Sequence, residues 1–113
     1  MKEQLAAKEV RLRVLREGAA KILVTTTGSI DGRRVAAYLG VECTESTVLT
    51  FNGHLTGDEC RSAEQDALEA LKILAVEKGA DAVVGLGLSM TRFSEDMLIL
   101  ALIGTLVRLE PVK

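Results

Sequence analysis

Residues 41–60, "VECTESTVLTFNGHLTGDEC", hold both cysteines and the single histidine of the chain. Cys43, His54 and Cys60 are therefore the first side chains to test for chemistry. Their spacing is C-x10-H-x5-C, which matches no structural zinc pattern, because closely spaced cysteine pairs are missing. Asp58 is available as a fourth ligand, and two thiolates, an imidazole and a carboxylate would suit a borderline-soft metal. Cys43 is expected to end a strand and Cys60 to begin a helix, so sequence does not fix the distance between them. The favoured expectation is that the three are unrelated loop residues. A soft-metal site of Cys43, His54 and Cys60 is the alternative.

Nucleophilic catalysis needs a base held by an orienting group. Cys60, His54 and Asp58 can be drawn that way, but all three lie in one short loop with no scaffold flanking it. The acidic pairs Asp58-Glu59 and Glu95-Asp96 sit at expected turns, where capping explains them better than acid/base work does. "GLG" (85–87) is no dinucleotide fingerprint: Met90 stands where the third glycine belongs, and a strand follows instead of a helix. Glycines inside a strand serve a bulge or a close backbone approach. "TTTGS" (25–29) offers hydroxyls to an anion, yet strand-end threonines account for it. No reaction type emerges, no catalytic residue is assigned, no cofactor is implied, and the expectation is a protein that is not an enzyme.

Composition narrows the classes further. The 113 residues suit one domain with one core, and 48% hydrophobic with 27% charged residues is ordinary for a globular protein. Aromatic residues make up only 3%, with no Trp, so the core must be aliphatic and stacking partners are confined to Tyr38, Phe51 and Phe93. A formal net charge of −2 gives no basic footprint for nucleic acid. Arg11, Arg13 and Arg16 stand among Glu3, Glu9 and Glu17 as a solvated face. "MKEQLAAKEV" lacks the apolar region of a signal peptide, and "MLILALIGTLV" is too short to span a bilayer as a helix. The expectation is a soluble cytoplasmic protein with free thiols and no membrane partner.

The elements that must position these residues follow from periodicity. Residues 2–17 mix helix formers with the alternating "VRLRVL", and a helix is favoured, as an extension (1–20) ahead of a single domain (21–113). "KILVTTT" (21–27) reads as a strand, and Asp31-Gly32 as a hairpin turn. Residues 33–42 alternate, placing Val35, Ala37, Leu39 and Val41 on one face, and "TVLTF" (47–51) is a further short strand. From Glu59 to Lys78, Ala63, Ala67, Ala70, Leu71, Leu74 and Ala75 recur at helical spacing. Thr56 with Glu59 suggests a capping box, and Gly79 a C-terminal cap. Residues 80–92 and 96–109 form an antiparallel hairpin. In its second strand Met97, Ile99, Ala101 and Ile103 face one way, and Leu98, Leu100 and Leu102 the other. One amphipathic helix covers only one of these two apolar faces, so the sheet needs a second layer, and oligomerisation is the economical source.

"ILVTTTGSIDGRRVAAYLGVE", the block Gly79–Gly85 ("GADAVVG") and "MLILALIGTLVRL" together resemble the YbjQ-like family, labelled heavy-metal-binding, over about residues 21–109. The resemblance implies an α/β (α+β) fold in which one amphipathic helix packs on an antiparallel sheet. It further implies a dodecin-like or YbjQ-like subunit that assembles into a homo-oligomeric ring, a pentamer. No Cys/His motif of the family maps onto Cys43, His54 or Cys60.

Overall fold

A computed structural model describes residues 2–50 and 57–112. Two helices and four strands follow in the order α1 (Lys2–Ala19), β1 (Leu23–Val24), β2 (Arg33–Leu49), α2 (Gly57–Glu77), β3 (Ala82–Ser94) and β4 (Met97–Pro111). The sheet order is β1-β3-β4-β2. The β2–β4 and β3–β4 ladders are antiparallel, as expected, but β1 pairs parallel with β3, so the sheet is mixed. The expected strand 21–27 shrinks to two residues. Beyond Val24 the regular ladder ends, although Thr25 N still donates to the Val83 carbonyl and the Thr25 and Thr27 carbonyls accept from Leu86 N and Gly85 N. Locally, Thr27 N donates to Thr25 Oγ1 and the Thr27 hydroxyl to the Ser29 carbonyl. Nor does Asp31-Gly32 close a hairpin, since β1 and β2 lie at opposite edges of the sheet. The turn begins a crossing, with Arg33 N donating to the Ile30 carbonyl.

The α2 seam is narrower than its sequence suggests, since Ala70 is exposed and Leu74 only half-buried. Ala63, Ala67, Leu71 and Ala75 recur every fourth residue and are buried. Alanines on the seam let the helix lie close across β2 and β4. Against it stand Val48, Leu98, Leu100, Leu102, Leu106 and Val83 in one cluster. Each fully buried leucine of this kind contributes about 1.5–3 kcal/mol relative to exposure.

The block "GADAVVG" builds the passage from α2 to β3. Gly79 adopts φ 74°, the left-handed conformation that a Cβ disfavours. Its N–H donates to the Val76 carbonyl and that of Ala80 to the Ala75 carbonyl, the paired bonds of a Schellman cap. Ala75 and Ala80 both join the core, which adds the apolar contact of that motif. Asp81 then ties the cap to β4: its N–H donates to the Val107 carbonyl, and its carboxylate accepts from Leu109 N at 2.9 Å.

Strand β2 departs from simple alternation. Its register against β4 shifts between Val35 and Ala37 and again between Tyr38 and Gly40. Two bulges therefore break the single face expected for Val35, Ala37, Leu39 and Val41. Leu39 packs on the main core, Val35 on a second small cluster, and Val41 is 61% exposed. The separate strand expected at 47–51 is instead the end of β2 as far as Leu49, and Phe51 lies outside the described residues.

Candidate functional site: the uncovered sheet face

Alternation along β4 separates the sheet into two unlike faces. Leu98, Leu100, Leu102 and Leu106 point to α2. Their neighbours Met97, Ile99, Ala101 and Ile103 point away, to a side that no helix or strand among the described residues covers. The ladder sets Val41, Cys43, Glu45, Thr47 and Leu49 of β2 on that same side, through the pairs Val41↔Thr105, Cys43↔Ile103, Glu45↔Ala101, Thr47↔Ile99 and Leu49↔Met97. One end of the face is closed. Ala82, Val84 and Val107 are buried there, with Ile30 from the crossing segment, Val35 and Leu109 packed on them. The rest is open: Val41, Leu49 and Ile103 are each half or more exposed.

The sheet edges are also unfinished. Among the described residues β2 has no neighbour on its outer side, and β1 with the segment that follows it covers β3 only as far as Leu86. From Gly87 onward β3 has no second neighbour among the described residues, and Leu88, Met90 and Phe93 are exposed along it. The "GLG" glycines serve this strand's geometry. Gly85 has φ 62° and sits where the register shifts between Val84 and Gly87, the position a glycine bulge requires. A Cβ on Gly87 would already touch the Ile103 side chain.

The sequence-derived candidates do not converge. Thr44 Oγ1 donates to the Ala67 carbonyl on α2, so Thr44 faces the helix and Cys43, the next residue, faces the open side. Cys60 is carried by α2 on the covered side. The sheet itself separates the two thiols of one subunit. His54 and Thr56 lie outside the described residues, so neither the Cys60–His54–Asp58 arrangement nor the capping box is drawn. Asp58 pairs with Arg61 at 2.8 Å. The Glu95-Asp96 pair forms the β3–β4 turn, where its carbonyls accept from Thr50 and Arg92. Among the described residues no group of three or more His, Cys, Asp or Glu side chains is placed to hold a metal ion. No helix among them is long and apolar enough to cross a membrane.

Alternation along β4 announces an open face in the sequence, whereas the contribution of β2 is not announced there. The β-branched and apolar residues at 41, 47 and 49 carry it, but the bulges hide their phase.

Residues 22–110 match the family described as "YbjQ_1: Putative heavy-metal-binding". A UPF0145 protein of Pseudomonas putida is 32% identical over 106 residues, covering 79% of this chain and all of the relative. A UPF0145 protein of Carboxydothermus hydrogenoformans is 30% identical, over 80% of this chain and 98% of the relative. Among solved structures, a protein of unknown function of the DUF74 family from Pediococcus pentosaceus superposes with a TM-score of 0.58 at 17% identity. It covers 79% of this chain and 98% of its own, a likeness of fold alone.

Proposed function

Because this chain belongs to the YbjQ family, we propose that it is a non-catalytic subunit of a homo-oligomeric ring of five copies. In this reading the ring acts as a scaffold or holds a small ligand at its assembled interface. The observation that carries it is the open sheet face, where Val41, Leu49 and Ile103 stand exposed beside Met97, Ile99 and Ala101. An exposed apolar stripe rimmed by polar residues, here Glu45, Thr47, Ser89 and Thr91, costs free energy in water and marks a protein interface. The two edges favour a ring over a two-fold dimer. The outer edge of β2 and the outer edge of β3 are different surfaces, and joining unlike surfaces head to tail closes into a ring when the rotation allows.

Light scattering behind a sizing column tests this directly. Five copies of the 12.1 kDa chain are expected. A monomeric mass overturns the proposal, and a ring of another size overturns only the number five.

A further inference from the structure

Helix α1 lies outside the domain that the family shares, since the match begins at residue 22 and α1 ends at Ala19. Only the last turns of α1 are seated. Ala19 is buried, Gly18 approaches Val76, and Arg16 reaches Glu69 of α2 at 3.9 Å. The apolar stripe of that contact, Ala19 and Leu15, continues at helical spacing to Leu12 and Leu5. Those two are 43% and 60% exposed, beside a hollow that Glu77 of α2 also lines. Val10 and Val14 are exposed as well, so four large apolar side chains stand in water on one helix. The radius of gyration is 16.5 Å, against about 13 Å for a compact domain near this size.

We infer that α1 is an arm that docks on α2 of a second copy of this chain. Charge selects that occupant. α1 carries five basic and three acidic side chains, and α2 carries two basic and six acidic ones. Two copies of α1 repel each other, whereas α1 against a neighbour's α2 is complementary. The Arg16–Glu69 approach within one chain is a small instance of the same pairing. The exposed carboxylates of α2 include Glu64, Asp66 and Glu77. This arm lies on the helix side of the sheet, so it is a contact additional to the open face, although it rests on the reading that copies associate.

The test mixes unlabelled and 15N-labelled full-length protein and applies a zero-length carbodiimide cross-linker. Cross-links between Lys8 and an α2 carboxylate are expected to join one labelled and one unlabelled chain. In the Leu5→Asp/Leu12→Asp double variant those mixed links are expected to disappear, with helical circular dichroism and melting temperature retained. Should that variant fail to fold, raising the salt on the native chain makes the same measurement, because screening weakens the charged contact and the mixed links must decline. An oligomer that gives only same-isotope links, or mixed links that persist in the folded variant, overturns the arm and leaves the ring reading standing. A monomeric native chain overturns both.

Discussion

Thr44 Oγ1 and the carbonyl oxygen of Ala67 lie 2.7 Å apart, a part-buried hydrogen bond joining the middle of β2 to the middle of α2. The bond fixes which side of β2 belongs to the helix, and therefore which side, beginning with Cys43, does not. Lys78 pairs with Glu42 on the same helix-facing phase of the strand. Replacing Thr44 with Val keeps the shape and removes the donor. A loss of about 1 kcal/mol in urea unfolding is expected, with no change in oligomeric mass.

The two faces of β4 should respond differently to the same insult. Leu100 is 2% exposed and packed under α2, so Leu100→Lys places an unpaired charge inside the subunit and costs several kcal/mol. Loss of the folded far-ultraviolet spectrum is the expected result. Ile103 is 50% exposed on the open face. Ile103→Lys is expected to leave the subunit folded and lower the mass measured by light scattering, because its charge is buried only on association. A folded variant with undiminished mass would separate the open face from assembly.

Two glycines are needed for unlike reasons. A Cβ at Gly104 would intrude far inside van der Waals contact with Val83 Cγ1, a buried side chain with little room to yield. Gly104→Ala is expected to lower stability by roughly 1–3 kcal/mol through overpacking. Gly79→Ala makes only an ordinary contact with the Arg108 guanidinium but must hold φ 74° at the end of α2. Its expected cost is about 1–2 kcal/mol, the penalty of a left-handed residue. Thermal melts of the two variants, read beside the native chain, measure both.

How much of this was legible from the residues depends on how local each cause is. The α2 seam, the Gly79 cap and the β3–β4 hairpin were readable because spacing and cap chemistry act over a few residues. The two-faced character of β4 was readable for the same reason, since alternation needs no partner. The parallel placement of β1 was not, because Leu23 and Val24 pair with Ala82 and Val83, more than fifty residues away. The bulges in β2 were also hidden: nothing in "RRVAAYLGVE" announces where the ladder slips, so Val41 was assigned to the face of Leu39. The "VRLRVL" alternation gave a strand signal that lost to helix propagation from "KEQLAAKE". The placement of Cys43 against Cys60 depended on knowing which face of β2 the helix covers, and that is a tertiary fact.

The last expectation concerns metal. A structural zinc site needs its ligands within about 2.0–2.3 Å of one ion and normally makes folding depend on that ion. Cys43 looks out from the open face, and Cys60 rides on the helix that covers the other face, so one ion cannot touch both thiols within a subunit. The core, meanwhile, is closed by aliphatic side chains that require no metal. Dialysis against a chelator is therefore expected to leave the melting temperature unchanged. Cys43→Ser and Cys60→Ser, singly and together, are expected to cost no more than about 1 kcal/mol, as neither thiol is fully buried. Elemental analysis of protein purified without a histidine tag completes the test. Stoichiometric zinc that survives dialysis and is lost in His54→Ala would overturn this expectation. Since the sheet parts the two thiols of one chain, such a result would place the ion between subunits or on His54 with a single cysteine.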